Sequence, residues 1–192
     1  MSRITLSRDL AADGFSPGEL ARMTRTGELV HLRRGAYAEP ADGELAPRAA
    51  HLQLLEATVP QCHPEAVVSH TSAAVLHELP VWREHLDRVQ LTRDRPGGGR
   101  TRRWVRVHGA ALDGFRATSL ARTIVDLGCG LPLAQAVAAG DAALTRIDPT
   151  AVAKALQQQA GRTGIGAARR AVACWTHPAR VPASRSAGSC CT

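Results

Sequence analysis

The segment that most constrains the fold runs from residue 16 to residue 38 and reads SPGELARMTRTGELVHLRRGAYA. Its first four residues form a capping-box pattern, in which the Ser16 hydroxyl accepts from the third helical amide while Glu19 accepts from the serine amide. Pro17 suits the first helical position, and Gly27 is well placed to end the helix. The segment therefore predicts one short helix that is capped at both ends.

After this helix, apolar and polar residues alternate, which predicts two short strands that turn at Arg33-Arg34-Gly35. Another helix is predicted before it, over residues 7–12, with a tight turn between the two. Helix, turn, capped helix and β-ribbon in this order are typical of a winged helix-turn-helix, which we assign to residues 1–40. Such a domain normally has one more helix at its start. We therefore expect either an abbreviated core or a start codon assigned too late.

The remainder of the chain predicts a mixed α/β domain at residues 47–172, so the fold class is α+β. Apolar residues at helical spacing, short β-rich runs, and Ser/Thr or Asp-Pro caps mark its elements. We expect strands at AVVSH, DRVQLTR and RWVRVHG, the last two joined by a DRPGGGR linker. We expect helices at 47–58, from the Ser/Thr cap of TSAAVLHEL, from Thr118 or Ser119 to Asp126 with a stop at GCG, at 132–146, and from Asp148-Pro149 to Gln159.

The charge is strongly positive and has two explanations. The formal net charge is +7 and the isoelectric point is near 10.1, which suits a polyanionic partner such as double-stranded DNA. However, Lys154 is the only lysine, and a GC-rich genome also replaces lysine by arginine. Residues 161–192 hold five arginines and no acid, so much of the excess lies near the C-terminus.

Several functional classes find no support in the sequence. There is no run of about 18 apolar residues that could span a membrane, and no signal peptide, so we expect a cytoplasmic protein. The cysteines lack metal-ligand spacing. His70 and His77 lie two helical turns apart with no third ligand between them, so we expect no metal and no cofactor. No catalytic triad or carboxylate pair emerges, and GGGR lacks the rest of a phosphate-binding loop, so we expect no enzymatic activity.

Several motifs, taken in order, resemble one protein family. They are GELVHLRRGAYA, VVSHTSAAVLHELPV, VQLTR, TSLARTIVDLG and AVAAGDAALTR, within residues 7–172. Together they resemble the AbiEi-type antitoxins and regulators of bacterial type IV toxin–antitoxin systems, in the actinobacterial form. The resemblance implies an N-terminal winged helix that binds operator DNA and represses its own operon, and a following domain associated with neutralising a nucleotidyltransferase-like toxin. Many such relatives also carry an endonuclease-like domain, which we expect to be absent here.

The C-terminal residues 173–192 have a different composition. They contain prolines, two adjacent cysteines and no apolar period, and we predict that they are disordered. One reading of them in an alternative frame resembles the stretch that leads into the endonuclease-like domain of relatives. We therefore hypothesise that a frameshift replaced that domain, which the nucleotide sequence of the gene would test.

Four arginines are the candidate DNA-binding residues: Arg22, Arg25, Arg33 and Arg34. The second helix of a helix-turn-helix enters the major groove, and the arginines of a wing contact the phosphate backbone or the minor groove. The alternative interpretation is a solvated basic face. His31 is expected to face solvent.

Two further functions remain open beside DNA binding. One is a protein-interaction module whose winged helix no longer binds DNA, and the other is a remnant of an endonuclease-like protein. In the second domain, Arg122 and Asp126 are spaced as a helix-surface ion pair. Asp141 lies among alanines and is expected to need a partner, for which Arg122 or Arg146 is available.

Overall fold

A computed structural model describes residues 3–93, 109–112 and 115–175. The helices are α1 (Ser7–Ala12), α2 (Pro17–Thr26), α3 (Pro47–Thr58), α4 (His70–Leu76), α5 (Leu120–Gly130), α6 (Leu133–Ala143), α7 (Pro149–Gln158) and α8 (Ile165–Trp175). The strands are β1 (Ile4–Leu6), β2 (Val30–Arg33), β3 (Ala36–Ala38), β4 (Val67–Val68), β5 (Leu91–Thr92), β6 (Gly109–Leu112) and β7 (Phe115–Thr118). Short 3-10 turns lie at Val59–Gln61, Arg83–His85 and Leu144–Arg146.

The N-terminal elements form a small antiparallel sheet in the order β1-β3-β2. Its inner face is made of small or branched residues, and Leu6 and Ala36 form one apolar cluster with Ala57 of α3. The sheet is thus covered by a helix that follows it in the chain, which removes these apolar side chains from water.

The tight turn of the β2–β3 hairpin needs glycine. Gly35 has φ of +80°, and an added Cβ would come within 2.9 Å of Gln61 Oε1. Gln61 is itself held by a bond of 2.6 Å from its Nε2 to the Ala57 carbonyl. The turn is therefore fixed both by backbone conformation and by close packing.

The second sheet has the order β5-β4-β7-β6, in which only the β4–β7 pair is parallel. Helix α5 follows β7 directly and is buried along its length, from Ala121 to Gly128. It packs against α4, α6, α7 and α8. We call the part of the molecule from residue 47 to residue 175 the second half. Its main apolar core is mostly aliphatic and includes Trp175, the last residue of α8.

The α+β architecture and many of its elements are confirmed. The capping box at Ser16–Glu19, the hairpin turn and helix α3 lie where the sequence predicts them. The strand regions AVVSH and DRVQLTR each contain a short strand. Most of the predicted strand RWVRVHG lies outside the described residues.

The structure departs from the sequence analysis at four points. A strand, β1, precedes Ser7, in a segment for which no element was predicted. No side chain caps α4, although Ser69 stands at its start. Helix α5 does not stop at GCG but continues through it, because Gly128 lets α8 approach so closely that an added Cβ would lie 2.9 Å from Ala168 Cα.

The fourth correction concerns the predicted boundary after residue 172. It falls inside α8, and Trp175 is only 5% exposed because it packs against Gly140 of α6. Helix α8 therefore continues three residues past the predicted boundary, to Trp175. The remaining residues of the predicted disordered segment lie outside the described residues.

Hydropathy gives no sign of a membrane span in the structured part. Within residues 3–93, 109–112 and 115–175, none of the helices combines the length and the apolar character that a bilayer crossing requires.

Candidate nucleic-acid interface

Helix α2 lies on the protein surface and most of its residues are exposed. The Ser16 hydroxyl accepts from the Glu19 amide at 3.3 Å, and the Glu19 carboxylate accepts from the Ser16 amide at 2.8 Å. The pKa of Glu19 is lowered chiefly by the bond that its carboxylate accepts from the Ser16 backbone amide, and then by the bond that it accepts from the Ser16 hydroxyl. Gly27, with φ of +81°, ends the helix as predicted. Leu20 is the only residue of α2 that is buried, so most of its surface is open to a ligand.

The two arginines of α2 differ in their surroundings. Arg22 is exposed but forms an ion pair of 3.0 Å with Glu28. The Thr26 hydroxyl lies 2.6 Å from the same carboxylate and is the main reason why the pKa of Glu28 is lowered. Arg25 is exposed one turn further along the helix. A nucleic acid would have to compete with Glu28 for Arg22.

The β2–β3 hairpin itself contains no acidic residue, and Glu28 and Glu39 flank it in the chain. Residues 29–38 contain Arg33, Arg34 and His31 but no acid. Arg34 is exposed at the turn, whereas Arg33 is half-buried in β2 and pairs with Ala36, next to an irregularity in the strand register. The hairpin is therefore the more strongly basic of the two predicted contact elements.

His31 is exposed on the outer face of the hairpin, as expected. Its ring packs at a tilt of 53° on Tyr37 of the neighbouring strand, with 5.3 Å between ring centroids. This cross-strand pair supports the hairpin on the side that faces water.

The N-terminal region as a whole is only weakly basic. Residues 1–40 hold six arginines and five acids, a net charge of +1. Residues 93–106 instead hold six arginines and one acid, a net charge of +5, and of these only Arg93 is among the described residues. Sequence reasoning overlooked this second concentration, which a running count of charge along the chain would have found.

A buried polar cluster lies in the second half of the molecule, far along the chain from the hairpin. Asp126 is 1% exposed, and its Oδ1 accepts from Arg122 Nε at 2.9 Å and also from Arg162 Nη1. Arg162 donates further to Gln159 Oε1 and, from Nη2, to His70 Nε2 at 2.7 Å. One carboxylate thus holds two guanidinium groups inside the protein.

His70 is fixed in one tautomer by this cluster. A guanidinium can only donate, so His70 Nε2 accepts and its Nδ1 donates to Ser69 Oγ at 2.9 Å. The pKa of His70 is lowered, and burial is the largest cause. The charge of Asp126 acts in the opposite direction, whereas the charges of Arg162 and Arg122 also lower the pKa. Its backbone φ of +53° is left-handed, which is uncommon outside glycine.

Two predictions about charged residues of the second half are wrong. Arg122 and Asp126 do form an ion pair at i and i+4, but it is buried rather than on the helix surface. Asp141 is exposed and needs no partner, and Arg146 instead donates to the His77 carbonyl at 2.6 Å. The i,i+4 spacing was visible in the sequence, whereas nothing in it linked Arg162 and His70 to the pair.

The polar groups of the described part do not assemble into a metal site. No group of three or more His, Cys, Asp or Glu side chains with metal-binding geometry lies within it. Comparison of the chain with protein-family models gives no match, and comparison with curated proteins gives none either. The functional argument therefore starts from the arrangement of the residues themselves.

Proposed function

We propose that the chain is a DNA-binding transcriptional repressor of the AbiEi-like antitoxin type, which binds the operator of its own toxin–antitoxin operon. The observation that carries the proposal is the β2–β3 hairpin, where exposed Arg34 and neighbouring Arg33 stand at the turn with no acid within residues 29–38. The order of elements around it, α1, α2 and then the hairpin, is compatible with a helix-turn-helix followed by a wing and supports the proposal.

In the proposed complex, α2 enters the major groove and the hairpin lies on the phosphate backbone. Arg25 would read a base edge or hold a phosphate, since it is exposed and its guanidinium can donate two parallel bonds. Arg22 would exchange Glu28 for DNA, which makes its net contribution smaller than that of a free arginine. Arg33 and Arg34 would contribute mainly sequence-independent attraction.

The second half, with its helical core, is proposed to serve protein interaction rather than catalysis. The resemblance to AbiEi-type proteins suggests a nucleotidyltransferase-like toxin as the partner of the system. In the cluster around Asp126 both guanidinium groups pair with the carboxylate, so we assign the cluster a structural role, and we propose neither a cofactor nor a catalytic activity. A cytoplasmic location follows from the proposed contact with DNA.

The test is a titration of the full chain against a labelled duplex from the upstream promoter and a random duplex, between about 50 and 200 mM salt. Arg33→Ala/Arg34→Ala should weaken binding to both duplexes and reduce the salt slope by up to about two. The matched control is Arg169→Ala/Arg170→Ala, which removes the same charge from two exposed neighbours on α8. The control should leave the slope close to that of the wild type.

Three outcomes separate the proposal from its rivals. A preference for the promoter duplex that is weakened by the hairpin variant alone supports the repressor. Equal effects of the two double variants mean that only general charge attraction is present. Unchanged affinity and slope in the hairpin variant refute the hairpin as a DNA contact.

A second candidate function is a protein-interaction module that does not bind DNA. The observation that favours it is the net charge of +1 over residues 1–40, from six arginines and five acids, which is low for a nucleic-acid interface. The remaining alternative, a remnant of an endonuclease-like protein, is decided by the nucleotide sequence beyond the codon of Trp175. Both alternatives predict no promoter preference in the titration above.

A further inference from the structure

A groove runs between the open end of the β2–β3 hairpin and the second half of the molecule. Its volume is about 530 Å³, within the range of ligand-binding pockets. One wall is the hairpin with Val30 and Leu32, and the other is formed by α3 and the residues after the 3-10 turn at Arg83–His85, including Leu86. The connection between β3 and α3 closes one side.

The floor of the groove is apolar and reaches solvent. Leu32, Leu45 and Leu86 line it, and Val30 is 43% exposed although it lies in a strand. Exposed large apolar residues are few in the described part, and Val30 is the one of them that lines this groove. Covering an apolar concave surface of this kind with a partner is favourable, because it removes apolar area from water.

The rim of the groove is acidic. Glu39, Glu44 and Asp87 line it, and the only basic residue in its lining is Arg83. Arg83 forms an ion pair of 3.5 Å with Glu44, in which both side chains are largely exposed, so the pair can open at little cost. Three carboxylates and one guanidinium leave a charge of −2 around the groove.

This charge excludes two occupants. Phosphate groups would be repelled, so the groove is not a continuation of the DNA interface. A second copy docked symmetrically would place one acidic rim against the other, which is also unfavourable. The complementary occupant is an apolar segment with positive charge at its edges.

We propose that the groove binds a segment of a partner protein in which aliphatic side chains are flanked by lysine or arginine. The aliphatic side chains would cover Val30 and Leu86, and the basic residues would pair with Glu39, Glu44 and Asp87. Val30 pairs with Ala38 at the open end of the hairpin, whereas Arg34 stands at the opposite end, in the turn. The exposed valine of the groove and the proposed DNA contact at Arg34 therefore lie at opposite ends of the hairpin.

The experiment is selection of a displayed random heptapeptide library on the full chain, with depletion on Val30→Asp. Selected peptides should combine aliphatic residues with net positive charge. A labelled synthetic copy of an enriched peptide is then titrated by fluorescence anisotropy. Binding should weaken at least about 10-fold in Val30→Asp and in Glu39→Lys/Glu44→Lys, which corresponds to about 1.4 kcal/mol.

The matched control is Leu133→Asp, since Leu133 is 50% exposed on α6 and does not line the groove. It should leave peptide binding unchanged, and circular dichroism of all variants checks that they remain folded. The proposal is overturned if selection enriches no peptides, if the enriched peptides are acidic, or if their binding is insensitive to Val30→Asp. It is also overturned if the chain dimerises in a Val30-dependent manner, because a second copy would then occupy the groove.

Discussion

The N-terminal hairpin region and the cluster around Asp126 both depend on arginines but use them in opposite ways. In residues 3–38 the charged side chains other than half-buried Arg33 are exposed, and ion pairs join residues that are close in the chain, as in the pair of Arg22 with Glu28. In the cluster, Asp126 is buried and its partner Arg162 lies 36 positions away; Arg162 also bonds His70, which is 92 positions away.

The difference separates arginines that are available to a ligand from those that hold the fold. An exposed pair in water contributes little free energy, so Arg22 can exchange its partner. A buried carboxylate between two guanidiniums cannot lose its partners without leaving uncompensated charge. Functional contacts are therefore expected from the hairpin and rigidity from the cluster. The predictions that follow test this division.

The largest effect is expected from Asp126→Ala. It leaves buried Arg122 and half-buried Arg162 without their carboxylate, which should lower the free energy of unfolding by about 3–5 kcal/mol. Urea denaturation measures the change. Asp141→Ala, at an exposed site in the next helix, α6, should stay within about 0.5 kcal/mol of the wild type. Similar small shifts in both variants would mean that the cluster does not hold the fold.

The next effect concerns the end of the folded part. Trp175→Ala removes a ring that is 5% exposed and should cost about 3–5 kcal/mol. Cys174→Ala, at the exposed neighbouring position, is the control. Deleting residues 176–192 should leave the denaturation midpoint unchanged, in keeping with their composition. A midpoint lowered by that deletion would show that these residues also pack on the body.

Local chemistry explains why much of the fold was predictable. The Ser16–Glu19 cap, the Gly27 end of α2 and the hairpin turn depend on residues a few positions apart. Helix α3 and the Asp148 cap of α7 follow from the same short-range patterns. These features need no knowledge of the tertiary structure.

The features of the fold that could not be predicted from the sequence depend on packing between segments that are distant in the chain. Gly128 is a helix breaker by propensity, but close approach of Ala168 keeps it inside α5. Trp175 appeared to belong to an unstructured tail because its partner Gly140 lies 35 positions earlier, in α6. The burial of Asp126 could likewise not be read from its spacing to Arg122.

Acidification should weaken the cluster more gradually. The pKa of His70 is lowered from 6.5, chiefly by burial, so below about pH 6.5 the unfolded chain takes up a proton that the native state does not. Stability is therefore present above this pH and is lost as the pH falls. A single histidine contributes at most about 1.4 kcal/mol per pH unit. The pKa values of His51 and His77 are also lowered by burial and add to the loss.

His70→Asn isolates the contribution of the cluster, because asparagine tolerates the left-handed φ of +53° at this position. In the wild type, the charged groups that face His70 are Asp126, Arg122 and Arg162. The substitution alters none of these three residues. Urea midpoints between pH 7.5 and 5.5 should fall less steeply in this variant than in the wild type. His63→Asn, at an exposed site, should keep the wild-type slope. An identical slope in all three proteins would contradict the role assigned to His70.

The smallest effect, Ser16→Ala, tests how independent the hairpin region is. Loss of the cap should destabilise α2 by about 1 kcal/mol. Since Leu20 is its only buried residue, α2 is expected to open locally, so amide exchange within α2 should speed up about 5-fold while the urea midpoint is unchanged. Ser119→Ala removes the corresponding cap of buried α5 and should lower the midpoint instead. If Ser16→Ala lowers the midpoint equally, α2 unfolds together with the core, and the two regions form one cooperative unit.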